Sequence, residues 1–425
     1  MGNGAPEESF LLVMNRRPMQ PSPAPNAAAR DFVLRHPILT ALALSLGTAI
    51  ALGVARFSYA LLLTPMRDDL GWSYLIAGGM NTGNALGYLL GALATPLLMR
   101  RHPAHHVLIV GALGTALLSF VPGFVTDTTA QLTLRVLTGI TSALLFVAGG
   151  LLVSRLATLH AQRVGLLLGL YYGGTGLGIM ATSLLIPPVL QAAADHGAAH
   201  PWQWAWWLLG TLALLASVVM ALPTRHIPAP PAQASSHGGF DARKLKFGLL
   251  GYLMFGLGYI GYMTFVVALL REGGMASRGI TLFFALLGLA TFASSRIWAR
   301  MLDRFRGGQS LALLNALLCL ATLLPAWTTE PLAVFTSGML FGACFLSAVA
   351  STTAMVRHNL PPSDWSAGIS AFTIVFAAGQ IIGPTIVGWI ADGVGGLQRG
   401  LLFSALALGT GALLAGCQRP LASAR

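Results

Sequence analysis

Charge is what this sequence has least of. Only 9% of its 425 residues are Asp, Glu, Lys or Arg, while 55% are hydrophobic; soluble domains carry about 25% charged residues. That excludes a water-soluble core. Its long apolar runs contain no Asp or Glu at all, so proton coupling lacks the usual intramembrane carboxylate; the nearest are Asp68 and Asp69, just past the first run. Histidines such as His102, His105, His160 and His358 sit at run ends or in loops. Without paired buried carboxylates, an activated nucleophile or a metal cluster, an enzyme reading has no residues to stand on, and no cofactor or metal is expected. The three cysteines, Cys319, Cys344 and Cys417, show neither CxxC nor Cys/His spacing. This excludes disulfide frameworks and zinc sites and leaves small buried packing residues. Residues 1–36 lack an apolar stretch of signal-peptide length and read as a disordered cytoplasmic tail.

What the sequence has is apolar runs of about 20 residues from end to end, each long enough to cross a hydrocarbon core about 30 Å thick. Twelve spans are predicted. The first six lie near 38–63, 73–99, 105–124, 130–156, 163–190 and 202–222. The second six lie near 246–270, 279–301, 309–328, 331–356, 365–391 and 398–417. The polar stretch 223–245, rich in Pro, Ser, Gly and basic residues, marks a cytoplasmic linker. The expected architecture is an all-α polytopic membrane protein of two pseudo-symmetric six-helix bundles, a lobe at 37–222 and another at 246–418, with a tail at 419–425.

The net charge of +12 is spread through short loops rather than gathered on one face, so nucleic acid is not an expected partner. With the amino terminus inside, nineteen Lys and Arg fall on the inner side and four (Arg67, Arg271, Arg278, Arg399) on the outer side; Arg56 and Arg135, within spans, complete the 25. Both termini are therefore expected in the cytoplasm of a bacterium, with the chain spanning the inner membrane. The expected partners are the lipid bilayer and a small-molecule substrate, with the protein acting as a monomer.

The halves repeat at an offset of 203 residues. Gly53 in span 1 aligns with Gly256 in span 7, Gly139 with Gly342, and Gly165 and Gly176 with Gly368 and Gly379. One offset serving three helix pairs points to parallel repeats. Six plus six spans about a long central linker resemble the major facilitator superfamily. The segment GVARFSYALLLTPM, followed by DDLGWS and NTGNALGYLLGAL, is similar to its YbfB/YjiJ-type branch. Arg135-x-x-x-Gly139 resembles the superfamily's RxxxG motif. The resemblance implies secondary active transport by alternating access. It also implies a cytoplasmic charge latch, for which Arg100, Arg101, Asp303 and Arg304 are the candidates. The first copy of that latch has Thr95 where the acidic member belongs, whereas the copy after span 8 keeps Asp303-Arg304. Span 5 keeps the antiporter glycines Gly165, Gly174 and Gly178 but has Ile179 at the proline position, which argues against a drug/proton antiporter.

Arg56 carries the functional argument. A guanidinium near mid-bilayer costs about 2.5–3.5 kcal/mol on insertion scales, so such residues face a cavity and serve a purpose. Arg56 lies roughly 11 Å and Arg135 roughly 8 Å from the outer ends of their spans, at 1.5 Å per residue. Two roles are open for Arg135: a cargo group, or a tie to backbone carbonyls of span 1. Three- and four-residue steps place Ser45, Thr48, Leu52, Arg56 and Tyr59 on one helical face. Asn81, Asn84, Tyr172, Thr175, Tyr259, Tyr262 and Gln380 complete the candidate substrate-binding set, although Asn81 and Asn84 serve equally as bonds between helices. The expected cargo is an organic anion. The alternatives are export of lipophilic or cationic compounds, or a non-transporting receptor or scaffold.

Overall fold

The computed structural model describes residues 32–33, 35–227 and 241–421. Most of the amino-terminal tail, the middle of the linker and the last four residues lie outside them. Among the described residues are twelve long helices: α1 (Pro37–Leu70), α2 (Tyr74–Met99), α3 (Ala104–Phe120), α4 (Thr128–Thr158), α5 (Val164–Asp195), α6 (Pro201–Thr224), α7 (Lys246–Glu272), α8 (Ser277–Arg304), α9 (Gln309–Trp327), α10 (Pro331–Asn359), α11 (Trp365–Ala391) and α12 (Gly396–Gly416). They form the two six-helix lobes that the sequence predicts.

Local chemistry sets the helix ends. Pro37, Pro201 and Pro331 occupy first-turn positions, where a missing N–H costs nothing. Ser73 and Asp127 cap α2 and α4 through hydrogen bonds from Ile76 N (3.3 Å) and Ala130 N (2.8 Å). Gly71 ends α1 in the left-handed conformation, φ 66°. Eleven helices are long and apolar enough to cross a membrane. The exception is α2, whose Asn81, Thr82 and Asn84 lower its hydropathy. Those side chains bond neighbouring helices, which satisfies most of the polar groups that α2 carries. Its other face presents Leu86, Leu90, Leu93 and Leu97, all exposed, the stripe expected against lipid.

Helices α1 and α7 are the most enclosed, 67% and 83% buried over their apolar windows, and they form the inside of the molecule. Small residues let the helices approach. A methyl group on Gly53 would lie 2.6 Å from the Gly178 backbone, and one on the repeat-related Gly256 would lie 2.6 Å from the Phe376 carbonyl oxygen. The α1–α5 contact of one lobe is thus matched by α7–α11 in the other. Gly139 against Asn84 and Gly342 against Leu287 form a second matched pair, whereas Gly165 meets open space. The lobes themselves meet along α5–α8, where Gly176 faces Gly288, and along α2–α11, where Gly78 faces Pro384. The cysteines differ from the expected buried set: Cys344 is buried, but Cys319 is half-buried and Cys417 is exposed just beyond the end of α12.

Candidate substrate site between the lobes

The site begins with an irregular turn. Residues Ala49–Phe57 are wound as a π-helix, closed by a 2.9 Å bond from Ser58 N to Gly53 O, five residues back. Such windings are rare and frequent at functional sites. The wider turn rotates the rest of α1, so the face expected from regular three- and four-residue steps does not form. Thr48 donates to the Tyr171 carbonyl of α5 (2.6 Å) and Ser45 to its own helix. Tyr59 donates to the Ala77 carbonyl of α2 (3.1 Å). Of that set, Arg56 bonds to the opposite lobe.

Arg56 is 4% exposed. It donates from Nη2 to the amide oxygen of Gln380 on α11, and its guanidinium stands 5.7 Å from the centre of the Tyr88 ring. Its Nε is buried without a partner. The ion pairs among the described residues are Arg67–Asp68 and His200–Asp69; neither reaches Arg56. A buried cation held by one neutral amide and an aromatic face is incompletely compensated.

Arg135 is arranged differently. Nη1 donates to the Ala55 carbonyl of α1 (2.7 Å) and Nη2 to Asn81 Oδ1 (2.9 Å), and the group lies 4.8 Å over the Tyr59 ring. Asn81 passes the connection on through Nδ2 to Thr264 Oγ1 on α7 (2.8 Å), and Asn84 donates to the Arg135 carbonyl (3.2 Å). Of the two roles open to Arg135, these bonds describe the tie. Its charge remains within electrostatic reach of Arg56.

The other candidates divide. Tyr259 lies in a run of near-parallel rings, 5.5 Å from Phe376 and 6.1 Å from Phe345, within electrostatic reach of Arg56. Tyr262 shares a 2.7 Å hydrogen bond with Ser337 and stacks on Phe341 at 3.9 Å. Tyr172 is 41% exposed and packs edge-on against Tyr171. The Thr175 hydroxyl and Asn84 Oδ1 are buried without partners. Asp303, Arg304, Arg100 and Arg101 are exposed, and no ion pair among the described residues includes them.

A link between the lobes that the sequence analysis missed stands at the opposite, expected outer end. Asp392, just after α11, accepts from Tyr74 N (2.7 Å) and Leu75 N (2.9 Å) at the start of α2. Tyr74 also donates its hydroxyl to Glu272, and Arg67 lies 3.9 Å over its ring. Thr82 donates to the Ile381 carbonyl (2.7 Å) and meets the Thr385 hydroxyl at the same distance. These contacts, with Asn81–Thr264 and Arg56–Gln380, run from mid-helix to the outer end. An acidic residue directly after a helix was visible; that it docks on the N-terminus of another helix was not.

A polytopic helical protein of two six-helix lobes, closed at one end around a buried polar site, has the build of a membrane transporter. The chain belongs to the major facilitator superfamily: residues 48–416 match the family described as "Uncharacterised MFS-type transporter YbfB". It is 25% identical over 372 residues to a "Chloramphenicol resistance protein" of Streptomyces lividans, covering 84% of this chain and 92% of the relative. It is 23% identical over 374 residues to a "Putative tartrate transporter" of Agrobacterium vitis, covering 80% and 84%. In fold it is similar to the crystal structure of a bacterial homologue of the human lysosomal transporter Spinster. The TM-score is 0.67 and the identity 16%, covering 91% of this chain and 96% of that one.

Proposed function

We propose that this protein is a secondary transporter of the bacterial inner membrane, with both termini cytoplasmic, that carries a small organic anion by alternating access. The observation that carries this reading is Arg56: buried between the lobes and bonded across them to Gln380, with Nε unpartnered and, among the described residues, no carboxylate paired with it. A cargo carboxylate offers, in place of the neutral amide, a charged acceptor that can take two guanidinium N–H bonds in parallel. Cargo entering from the open side displaces Gln380 and reaches both lobes, which favours closure around it. Release of the bonds at Tyr74, Leu75 and Thr82 then opens the other side. One relative is named a putative tartrate transporter, which suits an anionic cargo.

The second reading, export of lipophilic compounds, draws on the name of the chloramphenicol-resistance relative and on the aromatic rings near Arg56. A cationic cargo is opposed by the guanidinium. A thermal-shift screen of the purified protein separates the readings, because a ligand that binds the folded state raises its melting temperature by mass action. Organic anions are expected to stabilise the wild type and not Arg56→Ala. Arg56→Lys, which keeps the charge but loses the planar fork, is expected to weaken binding at least tenfold. Stabilisation by cations alone, or an Arg56→Ala variant that still binds anions normally, sinks the anion reading.

A further inference from the structure

We propose that the anion is a monocarboxylate with a flat aromatic body, held by its carboxylate on Arg56 of one lobe and by its ring on an aromatic wall of the other. This rests on the anion reading above and narrows it.

The charge count comes first. Two span arginines suggest a dianion, but Arg135 directs both terminal nitrogens to protein acceptors, Ala55 O and Asn81 Oδ1, and only its Nε lacks a partner. Arg56, with one terminal nitrogen bonded to Gln380, keeps more of the fork that a carboxylate needs. A second carboxylate on the cargo would sit desolvated without a cationic partner, a heavily penalised arrangement. One guanidinium therefore matches one carboxylate.

The neighbouring hydroxyls come next. Tyr59 is spent on Ala77 O, Tyr262 on Ser337 and Thr264 on Ile260 O. The Thr175 hydroxyl and Asn84 Oδ1 lack protein partners, two groups against the several hydroxyls of a polyhydroxylated acid, and each unmatched buried hydroxyl weakens binding. With Gln380 displaced, Tyr88 and Tyr259 are left to meet the cargo, and both bring a ring as well as a hydroxyl.

The shape of the wall completes the argument. Helices α7, α10 and α11 contribute Phe255, Tyr259, Phe345 and Phe376 as near-parallel rings. Phe255 and Phe376 are tilted by 8°, Tyr259 and Phe345 by 9°, and Tyr259 and Phe376 by 19°, at centroid separations of 5.5–6.1 Å. From the first lobe, Phe57 meets Phe345 edge-on at 5.8 Å, one residue after Arg56. The carboxylate-binding group and the ring-binding wall thus belong to different lobes and meet at one place. When the lobes part, Phe57 and Arg56 withdraw from the wall together. A planar ring can then stack on the exposed rings in the offset geometry that aromatics prefer, while its carboxylate reaches the guanidinium. Reclosure sandwiches it, with Gln380 displaced.

The test measures binding of benzoate, succinate, gluconate and benzylamine to the full-length purified protein by calorimetry. Benzoate is expected to bind at least tenfold more tightly than succinate or gluconate. Phe376→Leu is expected to remove most of that preference by weakening benzoate alone. Gln380→Ala, which frees the guanidinium from its bond across the lobes, is expected to strengthen benzoate binding several-fold; unchanged or weaker binding by a variant that melts like the wild type overturns the proposal that benzoate takes the place of Gln380. Tighter binding of succinate or gluconate, or no benzoate binding at millimolar concentration, overturns the aromatic monocarboxylate; in the first case the anion reading stands. Binding of benzylamine alone overturns both.

Discussion

The bond network at the expected outer end makes a quantitative prediction about Asp392. Its carboxylate accepts two backbone N–H bonds, at 2.7 and 2.9 Å, from the first turn of α2 in the opposite lobe. Hydrogen bonds to a charged group contribute about 1.5–3 kcal/mol each when buried. Asp392 is exposed, so solvent screening reduces the pair to about 1–2 kcal/mol in total, including the favourable end of the helix dipole. The N–H groups are rehydrated when the lobes part, so this energy acts on the closed-to-open equilibrium rather than on folding. Asp392→Ala is therefore expected to shift that equilibrium about 5- to 30-fold toward the state open at this end. A tenfold shift turns 1% open into about 9%. Spin labels at Ala199→Cys and Leu332→Cys, exposed positions of the two lobes at this end, read the separation once Cys319, Cys344 and Cys417 are replaced. Longer distances should gain population in Asp392→Ala, and Asp392→Asn, which keeps one acceptor, should fall between. Superimposable distance distributions for all three proteins would refute the latch.

Two further predictions separate architecture from cargo handling. Arg135→Ala leaves the buried Ala55 carbonyl and Asn81 Oδ1 without their donor, at about 1–3 kcal/mol each, and should lower the melting temperature by several degrees; an unchanged melting temperature with lost anion binding would make Arg135 a cargo group. Gly139→Ala drives a methyl into the Asn84 carbonyl oxygen, well inside contact distance, and should destabilise the α2–α4 contact by about 1–3 kcal/mol. Gly165→Ala, in open space, should leave the melting temperature unchanged or slightly raised; equal losses at both positions would contradict the packing described.

The helices and their order were legible in the sequence because the bilayer imposes a local rule. Every span must be apolar over about 20 residues and must satisfy its own backbone. Even α2 was recognisable, since its asparagines interrupt the run without adding charge. The repeat was legible where the same glycine does the same packing in both lobes, as at Gly53 and Gly256, and misleading at Gly165, which packs against nothing. A buried guanidinium is an anomaly in any apolar run, so Arg56 and Arg135 stood out without a structure.

Their partners were decided elsewhere. Periodicity assumes a uniform helix, and the π-helical turn at Ala49–Phe57 breaks that assumption within the segment where it mattered. It separates Arg56 from Ser45, Thr48 and Tyr59, which local spacing had grouped. Whether an arginine is free or committed depends on which carbonyl from another helix stands within hydrogen-bond reach, and Ala55 lies 80 residues from Arg135. Asp392 lies more than 300 residues from the helix end it caps. Composition and spacing determined that this chain crosses the membrane twelve times and carries two cations into it. Only the packing of helix on helix decided that Arg135 bonds back to α1, that Arg56 reaches Gln380 across the lobes, and that Asp392 accepts from the start of α2, because those bonds join residues the linear sequence keeps far apart.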